Sequence, residues 1–221
     1  MPTTDFRYGL VVFDWDGTLI DSAAAIVVCI QQAARDIGVL PPEEARARHV
    51  IGLGLHDSLR HAVPDLPVDR YMEFAARYRD HFLEREPALP LFPGVRELLS
   101  GLKAAGRQLA IATGKSRRGL DRGLAMTGLA PYFSYSRCAD ETHPKPHPAM
   151  LQEIMSRLDM PCARTLMVGD TSHDMELARA AAVEAVAVTY GAHAEALLRA
   201  HGPKACVGSV AELDLWLSHH G

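Results

Sequence analysis

The sequence predicts an α/β protein, a doubly wound parallel sheet interrupted by an all-helical segment. Three observations predict it. From about residue 91 onward, short apolar runs alternate with stretches of helical spacing, and repeated strand–helix units build parallel sheets through right-handed crossovers. The first apolar run, Tyr8-Gly-Leu-Val-Val-Phe13, reads as a strand buried on both faces of such a sheet. Residues 21–88, in contrast, keep helical spacing throughout and contain no strand-like alternation. The expected division is therefore 1–20 and 89–221 for the sheet-bearing core domain and 21–88 for a helical insertion.

The elements follow in order. Strand 8–13 ends at Asp14 and Asp16. Ser22 is placed as the cap of a helix through Ile26, Ile30 and Ala33 that ends at Gly38. Pro41-Pro42-Glu43-Glu44 opens a second helix, with acids where the helix dipole favours them. Gly52 and Gly54 break the chain before a third helix, through Leu55, Leu59 and Ala62, which Pro64 stops. A fourth, amphipathic helix over 69–84 carries Tyr71, Phe74, Tyr78 and Phe82. Beyond it the expected order is helix 94–105, strand 108–113, helix 116–126, strand 134–138 and helix 148–158. Strand 165–168, helix 172–182, strand 184–189, helix 194–200, strand 205–207 and a last helix from 210 complete the chain.

Composition narrows the function. At 221 residues the chain suits one large domain or a core with an insertion. A formal net charge of −4 argues against nonspecific binding to nucleic acid or to an anionic membrane. No apolar run approaches the roughly 20 residues of a membrane span, and no signal-like leader is expected. Cys29, Cys138, Cys162 and Cys206 form no C-x-x-C pair, so they suggest neither a zinc site nor a disulfide framework. They are expected to be reduced core residues of a cytoplasmic protein.

Four stretches carry chemistry. Asp14-Trp-Asp16-Gly17-Thr18-Leu19 puts two carboxylates at the carboxyl end of a buried strand, where open α/β sheets bind ligands. Gly17 permits a sharp turn whose amides can approach an anion, and Thr18 adds a hydroxyl donor. Ala110-Ile-Ala-Thr113-Gly114-Lys115 ends another strand in a hydroxyl and a glycine just before a helix N-terminus, which suits a phosphate or a plain helix cap. In Thr142-His-Pro-Lys145-Pro-His-Pro148 alternating prolines stiffen the backbone around one permanent cation, Lys145. Val168-Gly-Asp170-Thr-Ser-His-Asp174 ends a third strand in an acid, with a second acid on the first turn of the next helix; Mg²⁺ needs only one or two such carboxylates. His173, with no second His or Cys near it in sequence, fits a zinc ligand poorly.

Taken together and in this order, the four stretches resemble the motifs of the haloacid dehalogenase (HAD) superfamily, and the likeness extends over the whole chain. The resemblance implies a Rossmann-like core carrying a Mg²⁺-dependent phosphatase site. Asp14 would be the nucleophile and Asp16 the general acid and base, while Thr113 and Lys145 would complete the catalytic set. Asp14, the main-chain carbonyl of Asp16, and Asp170 would hold Mg²⁺, with Asp174 close by through water or Lys145. Gly17, Thr18 and Gly114 would contact the phosphoryl group. The insertion is similar to the helical cap of phosphoglycolate phosphatase-like members, whose specificity loop falls here on Arg48 and Gly52.

The implied function is hydrolysis of a small phosphorylated metabolite through an aspartyl-phosphate, by a monomer or homodimer. A β-phosphoglucomutase-like phosphotransferase and an inorganic pyrophosphatase of the same superfamily are the alternatives. A phospho-Asp regulatory domain is the non-enzyme alternative; such domains are about half this length and lack the insertion.

Overall fold

The computed structural model describes residues 7–221; the first six positions of the expected core segment lie outside them. Six strands form one sheet: β1 (Leu10–Phe13), β2 (Gln108–Thr113), β3 (Tyr135–Cys138), β4 (Thr165–Gly169), β5 (Glu184–Val188) and β6 (Ala205–Val207). Their order is β3-β2-β1-β4-β5-β6, and every neighbouring pair is parallel. The chain builds outward from β1 to β3, then crosses back to lay β4 on the other flank of β1. Loops leaving β1 and β4 therefore diverge, which opens a crevice at the carboxyl edge of the sheet. Phe13 pairs with Ile111 on one side and Val168 on the other, so the chain segments after β1, β2 and β4 leave the sheet side by side.

The helices are α1 (Ala23–Asp36), α2 (Glu44–His49), α3 (Leu55–Ala62), α4 (Tyr71–Arg85), α5 (Val95–Ala104), α6 (Arg117–Thr127), α7 (Ala149–Arg157), α8 (Ser172–Ala180), α9 (Glu195–Ala200) and α10 (Val210–His220). Strand alternation sorts the core onto two faces of the sheet. Val11, Phe13, Ile111 and Val168 pack with Leu99 of α5, Leu120 of α6 and Leu213 of α10. Leu10, Val12, Ala110 and Met167 pack on the opposite face with Ile154 of α7, Leu177 of α8 and Leu198 of α9. Both faces of β1 are thus covered, which is why its sequence shows no polar alternation.

Helices α1 to α4 gather a cluster of their own around Ile26, Ile30, Leu59 and Phe74. Three expectations need correcting. Ser22 stands at the cap of α1 but makes no capping bond, because its hydroxyl is spent on Asp16. Helix α4 begins later than expected, after a single 3-10 turn over Val68–Arg70 that follows Pro67. Cys29 and Cys138 are buried, whereas Cys206 is half-buried and Cys162 is exposed in the surface turn that leads into β4.

Candidate active site

The site grows from β1. The amide of Asp14 donates to the Val168 carbonyl at 2.9 Å, so sheet pairing continues one residue beyond the strand and fixes Asp14 at the edge. Its carboxylate is buried; Oδ1 faces a lysine ammonium, and Oδ2 has no partner within the protein. A buried acceptor without a partner is costly, and the open Oδ2 marks a place for a ligand. The fully buried ammonium of Lys145 lies 2.8 Å from Asp14 Oδ1 as an ion pair and 2.6 Å from Asp174 Oδ1. Burial pushes the Asp14 carboxyl well above the usual carboxylate range; Lys145 opposes the shift, and Asp174 and Asp170 add to it.

Asp170 follows β4. Burial, with Asp174 adding, raises its carboxyl to about 7. Its Oδ1 accepts the Thr18 hydroxyl at 2.8 Å and its Oδ2 the Ala192 amide at 2.7 Å. Gly17 and Thr18 thus pack against Asp170. The Thr18 hydroxyl is occupied by Asp170, and the Gly17 amide donates to the Ile20 carbonyl at 2.9 Å. Gly17, with φ +80°, instead provides room: a Cβ there would stand 2.2 Å from Asp170 Oδ2. Gly191 clears the other side, where a Cβ would stand at 2.3 Å.

Asp174 opens α8 in a capping box. Its Oδ2 accepts the Thr171 amide at 3.0 Å and the Thr171 hydroxyl at 2.6 Å, leaving Oδ1 for Lys145. Carboxylate oxygens of Asp14, Asp170 and Asp174 lie within 4.8 Å of one another. Three carboxylates thus face one buried ammonium, an imbalance that a hard divalent cation would correct, and an all-oxygen donor set suits Mg²⁺. Asp14 keeps Oδ2 open and Asp170 has one protein partner on each oxygen, whereas those of Asp174 are spent. The residues fit a cation held by Asp14 and Asp170, with Asp174 anchoring Lys145 directly.

The Asp16 carboxylate points elsewhere. Its Oδ1 accepts the Ser22 hydroxyl at 2.8 Å, and Lys115 Nζ lies 3.2 Å from Oδ2. That ammonium also sits 4.4 Å over the Phe82 ring. Thr113, at the end of β2, is buried and accepts the Lys115 amide on Oγ1 at 3.1 Å. Asp14, Asp16, Thr113, Gly114 and Lys115 line one cavity of about 610 Å³, which the helical insertion closes from above.

The loop between α2 and α3 lies directly on these residues. Gly52, with φ +89°, lines the cavity; a Cβ on it would stand 3.4 Å from Thr171 Oγ1 and 4.0 Å from Asp14 Oδ2. A Cβ on Gly114 would stand only 2.5 Å from the Gly52 carbonyl oxygen. Gly114→Val is therefore expected to push this loop off the core. Overpacking costs about 1–3 kcal/mol, so amide hydrogen exchange over 50–54 should speed up about tenfold or more. Unchanged exchange there would show that the loop does not depend on this contact.

One step earlier, the His49 carbonyl accepts Nε2–H of His173 at 2.7 Å and Nε2–H of His193 at 3.2 Å. The Ser172 amide donates to His193 Nδ1 at 3.0 Å, which puts the ring proton on Nε2. His173 thus has two histidines close by, contrary to expectation, because they come from distant parts of the chain. With both Nε2 atoms donating to a carbonyl, the trio serves docking rather than metal binding. Burial lowers the pKa of both inner rings, His193 to about 4, and keeps them neutral. Arg48 is not brought to the site. It pairs with Glu44 at 2.8 Å, one turn back on α2, and does not line the cavity.

Sequence reasoning did not assign Lys115, Ser22, Ala192 or the histidine trio. Lys115 follows Thr113 and Gly114 directly, so its place beside the cavity was readable although its partner Asp16 was not. Ala192 acts through its main chain and leaves no sequence signal.

A buried aspartate at the carboxyl edge of a parallel sheet, clamped by a lysine among further carboxylates and covered by an inserted helical segment, suits a hydrolase whose acidic centre could hold a cation. Residues 11–188 match the haloacid dehalogenase-like hydrolase family, and the chain belongs to it. It is a phosphatase of that family. It is 40% identical over 212 residues to the probable phosphatase IndB of Dickeya dadantii, covering 92% of this chain and 91% of that one. It is 30% identical over 189 residues to a phosphoglycolate phosphatase of Pseudomonas putida, covering 82% and 70%. A crystal structure of a predicted phosphoglycolate phosphatase from Haemophilus somnus superposes with a TM-score of 0.85 at 26% identity, over 95% of this chain and 97% of that one.

Proposed function

We propose that the protein is a Mg²⁺-dependent phosphomonoester hydrolase acting on a small phosphorylated metabolite through an aspartyl-phosphate on Asp14. In this reading residues 1–20 and 89–221 are the core and 21–88 a cap that closes over the substrate. The observation that carries it is the Asp14 carboxylate, buried, paired with Lys145 through Oδ1 and open at Oδ2, in a cavity that Asp16 also lines.

An Asp14 oxygen attacks phosphorus as the bond to the leaving oxygen breaks, and Asp16 gives that oxygen a proton. Asp16 then takes a proton from the water that attacks the acyl phosphate, releasing inorganic phosphate and restoring Asp14. Thr113 and Gly114 hold the phosphoryl oxygens, and Lys145 offsets the negative charge that gathers between Asp14 and phosphorus. Asp14, the Asp16 main-chain carbonyl and Asp170 would hold Mg²⁺, which supplies charge neutralisation as one anion attacks another. Ser22 and Lys115 fix the Asp16 carboxylate on the leaving-group side. Four free thiols fit a reducing, cytoplasmic setting.

Asp16→Ala tests the mechanism. An aryl oxide leaves without a proton, so aryl phosphate should still phosphorylate Asp14 and give a burst approaching one aryl oxide per site. Hydrolysis of the intermediate should then be slowed by ~10²–10⁴-fold, the usual worth of general acid–base assistance. An alkyl phosphate should show neither burst nor turnover. Equal loss on both substrates, with no burst, would remove Asp16 from proton transfer.

A further inference from the structure

A cavity opens between the helical insertion and the core. The cavity of about 610 Å³ runs from Asp14 and Asp16 upward between α1, α3 and α4. Its far walls are apolar: Ile26 and Ile30 lie one turn apart on α1, Leu59 on α3, and Phe74, Tyr78 and Phe82 at successive four-residue steps on α4. Tyr78 and Phe82 stack, with ring centroids 5.9 Å apart and planes inclined by 19°. Of the cations that line the cavity, Lys115 already pairs with Asp16 and Arg122 with Glu86, while Arg79 and Arg118 lie at its exposed edge.

Pockets of ~300–1,000 Å³ hold molecules of drug size. A two-carbon acid phosphate would leave most of this space unfilled and would set its carboxylate against Ile, Leu and Phe side chains, which cannot replace its lost hydration. We propose that the preferred substrate is a phosphomonoester whose alcohol half carries an apolar group at least as large as an aromatic ring. The phosphate sits at Asp14, and the apolar group lies between α1, α3 and the aromatic face of α4. This rests on the phosphatase reading above and narrows its substrate class.

The test compares kcat/KM, with Mg²⁺ present, for 2-phenylethyl phosphate, ethyl phosphate and 2-phosphoglycolate. The first two release similar alkoxides, so their ratio reads the cavity and not the leaving group. Burying a ring-sized apolar group is worth about ten- to a hundredfold, and 2-phenylethyl phosphate should exceed both others by at least the lower figure, mainly through KM. Ala62 is buried on the cavity wall, and Ala62→Phe should fill the space and bring the phenylethyl-to-ethyl ratio down toward one. If that variant fails to fold by circular dichroism, the wild-type ratio decides alone. Turnover with a wild-type ratio near one, or with phosphoglycolate preferred, would overturn the proposal and leave the phosphatase reading standing. No hydrolysis of any of the three, nor of an aryl phosphate, would overturn both.

Discussion

Asp14→Asn is expected to lower turnover of every phosphomonoester by at least about 10⁴-fold, because an amide cannot attack phosphorus and nothing near it can take over. The change keeps the shape of the side chain, and Lys145 retains Asp174 as an ion-pair partner at 2.6 Å. Losing the Lys145 ion pair is offset by no longer burying a carboxylate whose Oδ2 lacks a partner. The unfolding free energy should therefore move by less than about 2 kcal/mol, in either direction. Single-turnover kinetics with an aryl phosphate and urea unfolding check the two halves separately. A variant that keeps a tenth of wild-type turnover would refute Asp14 as the nucleophile.

Lys145→Met should damage both activity and stability. In the wild type, burial pulls the lysine pKa down, but Asp14 and Asp174 outweigh it and hold the ammonium charged. Removing that charge leaves three buried carboxylates within 4.8 Å of one another with no cation among them. Breaking a buried pair by deleting one partner typically costs about 3–5 kcal/mol, and that loss is expected at pH 7 without added metal. The sign of the pH dependence follows. The Asp14 and Asp170 carboxyls titrate higher folded than unfolded, so between the two values the folded state binds more protons and loses stability as pH rises. The deficit against wild type should be largest at neutral pH and shrink as the pH falls toward 4. Urea unfolding at pH 7 and pH 5 reads this; an equal deficit at both would mean that Lys145 acts by packing.

The sequence made the frame and the reacting groups legible for a common reason. Strands β1, β2 and β4 are continuous apolar runs that end in chemistry-bearing residues, so Asp14, Thr113 and Asp170 could be placed on one sheet edge before any coordinates. What stayed hidden was how short polar side chains are spent. Ser22 and Thr18 have the same look whether they cap a helix, bind phosphate or hold a carboxylate, and only the fold shows that they hold Asp16 and Asp170. The direction of the Arg48 side chain was equally hidden, since Glu44 sets it from one turn away. The His49, His173 and His193 gathering joins residues with no sequence spacing to find.

The way this loop is fastened has an evolutionary corollary. Its hydrogen bonds to His173 and His193 of the core run through the main-chain carbonyl of His49, and the absence of a side chain at Gly114 leaves room for the Gly52 carbonyl. Any residue carries a carbonyl, so the bonds to His49 do not depend on its side chain, whereas Ile51 and Leu53 both pack in the insertion's cluster and line the cavity. Substrate preference can then be rewritten from the helical side by ordinary point substitutions. Variants that alter closure itself should instead map to the three core positions, far from the loop in sequence.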